Sequence, residues 1–394
     1  MRAAISFLGL VILGTATFVA CGDDETGTGG SGATGGSTSS SGGQGGVGEA
    51  GSTGGGGASQ GGMGGAGGMG GEGGMGGGCT NSLPTITVAP NLLSQTGLYA
   101  DIVAKTISAD VLPYEPRFKL WSDGVEKARF AYLPECDVID NTDEDDWSFP
   151  VGTRMWKDFS ENGVLLETRL IHRYGPGPSD FLFATYQWNS MQTEATFIDS
   201  GVDDVLGTAH DIPPTAVCGR CHGPHPSKGG LPSRFLGFSA LQLSHTGPGA
   251  TMQTLSDGGY LLAPNAAGYT VPGTPTDQAA LGYLHANCAN CHNDSADGLF
   301  FPMLDMRLRV ADTMVDQTAA YQSLVNQLIG NFAGPCTHLI KGQDVANSCV
   351  HYRMTQRGDD ITPNPAQMPP LASDVADAAG IAAMEAWIAT LPTP

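Results

Sequence analysis

Two stretches of this chain repeat one pattern, Cys218-Gly219-Arg220-Cys221-His222 and Cys288-Ala289-Asn290-Cys291-His292. In C-x-x-C-H each thiol is placed to add across one vinyl group of a haem, and one helical turn between the thiols matches the vinyl spacing. The histidine that follows falls under the iron as its proximal ligand. Two C-x-x-C pairs also make four thiolates, enough for a zinc site. Zinc has no need of a histidine directly after each pair, and the chain has only nine histidines in 394 residues. The pattern predicts two covalent c-type haems. One is held by Cys218, Cys221 and His222, the other by Cys288, Cys291 and His292.

The elements that must position these groups differ. Ahead of Cys218, Ile212-Pro213-Pro214-Thr215 is a stiff extended entry into a short helix, which Gly223-Pro224 ends. For the opposite face of that haem the candidates are His225, His245, Met252 and His210. His225 follows His222 too closely to reach it, and His245, after the helix-like run Phe235 to Leu243, is best positioned. A haem with no sixth protein ligand stays open as well. Ahead of Cys288, Ala280 and Leu284 recur at four-residue spacing, and near the C-terminus Ile381, Met384, Trp387, Ile388 and Leu391 recur with helical period. Pro363-Asn364-Pro365-Ala366-Gln367-Met368-Pro369-Pro370 lies before that last helix and holds one methionine in a stiff loop. Met368 is the expected sixth ligand of the second haem, a soft sulfur that favours ferrous iron. Met354, Met303 and Met306 are the alternatives, and a gap-filling core role is the competing reading for Met368. Arg307, Arg309, Lys341, Arg353 and Arg357 are candidate partners for haem propionates.

Before the first motif the text alternates and is rich in aromatics. Arg129 to Leu133, Thr153 to Phe159, Val164 to Tyr174 and Phe181 to Trp188 read as strands, with Asn162-Gly163 as a hairpin turn. Asp140 to Asp146 is an acidic run read as loop. The N-terminus reads as a secretion signal over residues 1–20: Arg2, an apolar run from Ala3 to Leu13, then small residues. Phe18-Val19-Ala20-Cys21 resembles the lipobox of bacterial lipoproteins, which makes Cys21 the expected lipidation site, although Phe stands where Leu is usual. Plain secretion is the alternative.

More than half of the 58 glycines fall before residue 79. Residues 21–78 therefore read as a disordered, lipid-anchored tether with a span of roughly 40 Å. Export permits disulfides. With Cys21 and the four haem thiols set aside, Cys79, Cys136, Cys336 and Cys349 remain, and ranking by loop length pairs Cys336 with Cys349 and Cys79 with Cys136. The first of these closes a short loop and is worth about 3 kcal/mol on the chain-entropy model. A net charge of −21 argues against a nucleic-acid partner.

Leu120-Trp121-Ser122-Asp123-Gly124, Phe149-Pro150-Val151-Gly152-Thr153 with Lys157 and Phe159, Glu167-Thr168-Arg169-Leu170, and Met368-Pro369-Pro370 resemble, in that order, a family of diheme c-type cytochromes. The likeness covers most of residues 95–394. Residues 277–394 also resemble class I cytochrome c. That resemblance implies that the helices around Ala280 and Trp387 cross beside the haem. Pro150-x-Gly152-Thr153-x-x-x-Lys157 ahead of a C-x-x-C-H is similar to the cytochromes c′-beta, which implies a haem on an antiparallel sheet with an open distal face.

The fold expected from all this is α+β. An antiparallel β domain (79–214) is followed by the first haem-binding segment (215–276) and an all-α class I cytochrome c domain (277–394). The expected function is single-electron transfer between redox protein partners, in the periplasm or cell envelope, anchored by lipid with the outer membrane favoured. The alternative is a haem enzyme or sensor with an open first haem, acting on peroxide or small nitrogen oxides. No Ser-His-Asp grouping, phosphate loop or paired-carboxylate signature stands out.

Overall fold

Alternation of apolar and polar residues builds the sheet. The computed structural model describes residues 80–222, 235–294, 304–329, 334–358, 366–371 and 373–394. The signal peptide, the tether, Cys21, Cys79, His225 and Met303 lie outside them. A small hairpin pairs β1 (Tyr99–Asp101) with β2 (Thr106–Ile107). Six further strands follow: β3 (Val111–Tyr114), β4 (Glu126–Tyr132), β5 (Arg154–Glu161), β6 (Val164–Arg173), β7 (Phe181–Trp188) and β8 (Ala195–Ile198). They lie side by side in chain order as one antiparallel meander. The β5–β6 turn is Asn162-Gly163 with φ of 51° and 78°, the left-handed pair that a tight hairpin needs.

Register divides the sheet into two unlike faces. On one, Phe130, Trp156, Leu170 and Ala184 stand opposite one another across β4 to β7. With Tyr132, Tyr186 and Trp188 they bury against Leu93, Leu98 and Tyr99 of the N-terminal segment. Aromatic rings of this size remove about 150–250 Å² each from water. On the other face Ala131, Met155 and Ile171 pack with Phe149, Phe235, Phe238, Leu243, Met252 and Leu255. The last five belong to the segment after the first motif, with α2 (Ala240–Leu243) and α3 (Met252–Asp257). That segment thus shares its core with the sheet. The helix-like run Phe235 to Leu243 is helical only from Ala240. Phe235 and Phe238 are drawn into the sheet's core instead, around Gly237 at φ 80°.

The remaining helices are α1 (Gly219–His222), α4 (Pro275–Asn287), α5 (Ala319–Leu324), α6 (Cys349–Thr355) and α7 (Ala378–Thr390). Helix α4 starts with Pro275 at its first position and a capping box in which Thr274 and Asp277 satisfy each other's backbone N–H groups. Helix α7 starts at Asp377, whose carboxylate accepts from Gly380 N at 3.0 Å. The two helices pack closely. A Cβ on Gly380 would lie 2.1 Å from the Tyr283 ring, so only glycine permits this approach. Trp387 is fully buried among Ala280, Leu281, Leu284, Met384 and Ile388, and its indole N–H donates to Asp277 Oδ1 at 2.9 Å. Cys336 and Cys349 are joined by a disulfide with Cα atoms 5.2 Å apart. Cys136 is also disulfide-bonded. Among the described residues no helix is long and apolar enough to cross a membrane.

Sheet and helices meet through two straps and belong to one compact unit. In the first, Trp121 N donates to Asn287 Oδ1 (2.7 Å), Trp121 Nε1 to Val375 O (2.8 Å), and Asp123 Oδ1 accepts from Val375 N (2.9 Å). The Leu120-Trp121-Ser122-Asp123-Gly124 segment therefore ties the last residue of α4 to the approach of α7. Asp123 and Gly124 take φ of 48° and 75° to make that turn. In the second strap the acidic run acts as an anchor. Asp146 pairs with Arg307 at 3.1 Å, and Asp145 accepts from Val310 N at 2.9 Å.

Candidate cofactor-attachment site

Both C-x-x-C-H stretches fold into the same turn. In the first, Cys221 N and His222 N donate to Cys218 O at 3.2 and 3.0 Å. In the second, Cys291 N and His292 N donate to Cys288 O at 3.1 and 2.9 Å. One turn of helix puts the two thiols of each pair on one side with the histidine beyond them. The first turn is delivered by Pro213-Pro214 and a short 3-10 turn, Thr215–Val217, fixed by Thr215 N to Asp199 O at 3.0 Å. The second continues directly from α4, with Cys288 as its C-cap. Asn290 and Asn293 tie it down by donating to Ala286 O and Ala289 O at 3.1 and 2.9 Å.

The two turns meet. Cys221 Sγ and Cys291 Sγ are 3.6 Å apart although 70 residues separate them in the chain. All four motif cysteines carry free thiols. The hydrogen bond to Cys291 and then burial push the Cys221 thiol well up, and burial pushes Cys288 up to about 12. A four-thiolate zinc centre needs every pair of sulfurs about 3.8 Å apart, given Zn–S bonds of about 2.3 Å. Among the described residues no group of three or more His, Cys, Asp or Glu side chains is placed to hold one metal ion. Each turn presents two thiols and one imidazole, the donor set that a c-type haem would take from the chain.

Around the first turn the environment is polar and built by the sheet. The His222 ring lies 5.9 Å from Phe183, and Arg169 and Lys157 are the cations that act on Cys221. Behind them, Arg169 forks onto Glu167 (Nε to Oε2 2.9 Å, Nη2 to Oε1 2.5 Å). His210 Nε2 shares Glu167 Oε1 at 2.7 Å, and its ring stacks on Phe159 at 5.1 Å. Burial would raise the Glu167 carboxyl, but Arg169 and His210 outweigh it and hold it below the usual carboxylate range. His245 does not face this site freely. Its Nε2 meets Glu115 O at 2.7 Å and its Nδ1 accepts from Gly247 N at 2.9 Å, so both ring nitrogens staple a loop. Met252 is a core residue of the sheet cluster.

Around the second turn the environment is apolar. His292 is held neutral by burial and then by Arg353, with its pKa lowered to about 4. Met306 N donates to His292 O at 3.0 Å, while its side chain, like Met354, is buried in the α4–α7 core. Met368 is half-buried. Its N–H donates to Arg353 O at 3.1 Å, and Arg357 Nη1 donates to Met368 O at 3.3 Å. Gln367 fixes the loop by donating to Ser373 O at 3.0 Å and accepting from Gly358 N at 2.8 Å. Pro363, Asn364 and Pro365 lie outside the described residues.

Three of the basic residues expected to meet propionates are paired within the chain instead. Arg307 binds Asp146, Arg309 binds Asp294 and Asp305, and Lys341 binds Asp344. The sequence marked Lys157 and Arg169 only as motif residues, because their convergence with Arg129 near the first turn depends on register. Comparison with family models, curated proteins and solved structures returned no match.

Proposed function

We propose that this chain is an exported diheme c-type cytochrome that carries single electrons between redox protein partners, with haems on Cys218, Cys221 and His222 and on Cys288, Cys291 and His292. The observation that supports it best is the meeting of the two turns, with Cys221 and Cys291 Sγ atoms 3.6 Å apart. Cofactors attached through neighbouring thiols have their thioether edges side by side, which favours exchange of an electron between them. When bound, each haem supplies a one-electron iron couple. The chain supplies the rest. The thiols fix position, the neutral His292 imidazole offers a nitrogen lone pair, and the α4–α7 core excludes water. We propose Met368 as the sixth ligand at the second site. Its N–H is fixed on Arg353 O, the same arginine whose charge acts on His292, and Met306 and Met354 are committed to the core. For residues 277–394 we propose the class I cytochrome c fold, supported by the α4–α7 crossing around Trp387.

A second reading keeps one specific support. Both nitrogens of His245 and the side chain of Met252 are used elsewhere, which leaves the first haem without those two candidates for a sixth ligand. An open first haem would suit an enzyme or sensor for peroxide or small nitrogen oxides. Attachment to a bacterial membrane through Cys21, in the periplasm or cell envelope, completes the proposal. The test is a pyridine haemochrome assay joined to reduced spectra with and without carbon monoxide. Two haems per chain and no carbon monoxide shift support electron transfer. Two haems with one that binds carbon monoxide support the enzyme or sensor, and one haem or none refutes the diheme reading.

A further inference from the structure

Arg129, Lys157 and Arg169 stand directly opposite one another on β4, β5 and β6. Lys127 is on the same face two residues along β4, opposite Phe159. Three of these cations surround the Phe159 ring, with Lys127 Nζ, Lys157 Nζ and Arg169 Cζ at 5.7, 5.6 and 4.4 Å from its centroid. Like charges opposite one another in a sheet destabilise it. The whole chain has 18 basic against 39 acidic residues, so composition does not force this crowding.

The charges facing the row do not neutralise it. Among the described residues Glu167 is the one carboxylate paired there, and it is divided between Arg169 and His210. Lys127 and Arg129 donate to backbone carbonyls, Val125 O at 2.9 Å and Lys127 O at 3.2 Å. Glu115 beyond Arg129 is paired with Lys119, and Asp123 and Asp377 act on Lys127 only from a distance. Lys157 Nζ has no hydrogen bond or ion pair among the described residues. Burial, and then its cationic neighbours, pull Lys157 well below its ordinary value and Lys127 down to about 8.

We propose that the Arg129–Lys157–Arg169 row, with Lys127, is an anion site that holds a carboxylate or small oxyanion against the sheet beside the first Cys-x-x-Cys-His turn. Two sources offer that chemistry: the propionates of a haem on Cys218 and Cys221, or a soluble oxyanion. Only the first source rests on the haem reading, and the geometry favours it. Arg169 and Lys157 act on Cys221 electrostatically, and the row runs on from Arg169 through Lys157 to Arg129, two strands and about 10 Å away. A macrocycle held through its vinyl edge carries its carboxylates on the opposite edge.

The test uses the haem-loaded protein with Lys157→Met, Arg129→Gln and, as the charge-preserving control, Lys157→Arg. Haem content, thermal midpoint and both reduction potentials are read, with sulfate exchanged for chloride at constant ionic strength. If propionates fill the site, Lys157→Met and Arg129→Gln lower the midpoint and shift one haem's reduction equilibrium toward ferric at least tenfold. That shift is about 59 mV for one electron, and the other haem does not move. Lys157→Arg behaves as wild type, and sulfate adds nothing. If a soluble oxyanion fills it, sulfate raises the wild-type midpoint more than the Lys157→Met midpoint, and the potentials in chloride are unchanged. A Lys157→Met protein that is more stable than wild type, with unmoved potentials and no differential sulfate response, overturns the site. A lower midpoint without either other readout also overturns it, because lost packing on Phe159 suffices for that. A protein without haem fails the cytochrome reading while the sulfate arm still decides the anion site.

Discussion

The turn at His222 and the turn at His292 share their backbone hydrogen bonds and differ in nearly everything around them. The second grows from a long capped helix and is enclosed by Trp387, Leu281, Leu284, Met306 and Met354. The first is a four-residue helix beside a sheet face that carries Arg169, Lys157 and Glu167, with the loop residue His210 bonded to Glu167. Apolar burial fixes the second in place without demanding partners, whereas each buried polar group near the first must be matched or it costs stability. One motif is thus held by packing and the other by electrostatics. If the two turns carry the proposed haems, this separates the surroundings of the two irons, and hence their potentials, without altering the attachment chemistry.

The largest effect that would break this comparison lies in the helical half. Trp387→Ala removes the central side chain of the α4–α7 crossing and orphans Asp277 Oδ1, and should cost about 3–5 kcal/mol. Trp387→Phe keeps most of the packing and loses one hydrogen bond, a cost of about 1 kcal/mol. Chemical denaturation followed by circular dichroism measures both. Equal costs for the two variants would mean that packing at the crossing is not what holds the second turn.

The second expected effect is on one centre only. On the proposed diheme reading, Met368→Ala should leave two haems attached, since the attachment cysteines do not include residue 368. It should lower one reduction potential and abolish the weak far-red ferric band of methionine ligation. Met354→Leu, a volume-conserving core change, should leave both potentials where they are. An unchanged band in Met368→Ala would make Met368 a packing residue.

How far these halves were legible in the sequence follows from where their contacts come from. Four strands and the Asn162-Gly163 turn were readable, because alternation and turn chemistry are local. The face of helix α7 was readable from its period. What the sequence hid was long-range. Trp121 and Asp123 look like a short motif of unstated purpose until Asn287 and Val375, 166 and 252–254 residues away, supply their partners. The acidic run read as loop, and its use as an anchor depends on Arg307, 161 residues on. The cation row needs the register of three strands, and a shift of one residue would turn Lys157 to the other face. His245 was well placed by position and was claimed by a carbonyl 130 residues away. Short β3 and β8 carried too little pattern to announce themselves.

The smallest expected effect concerns the sheet's dependence on pH. His172 is fully buried, with Nδ1–H donating to Thr153 O at 3.1 Å and Nε2 accepting from Ile86 N at 3.2 Å. This pattern requires the neutral ring. Burial first, and the nearby Arg154 second, lower its pKa from 6.5 to about 4. A histidine lowered in this way binds its proton more weakly folded than unfolded, so the unfolded state gains protons first as pH falls. The neutral ring therefore carries no penalty above pH 6.5. Stability should decline from there to about pH 4, by about 3 kcal/mol at most. His172→Gln, which offers one donor and one acceptor without titrating, should flatten that decline at some cost in stability at neutral pH. Trp156 and Trp188 report the sheet and Trp387 the helical crossing. Fluorescence of proteins that keep one set or the other should therefore show the sheet loosening first in acid. A decline of the same slope in His172→Gln would assign the acid response to other groups, with Glu167 next, because its depressed carboxyl contributes stability only until pH falls through its folded value.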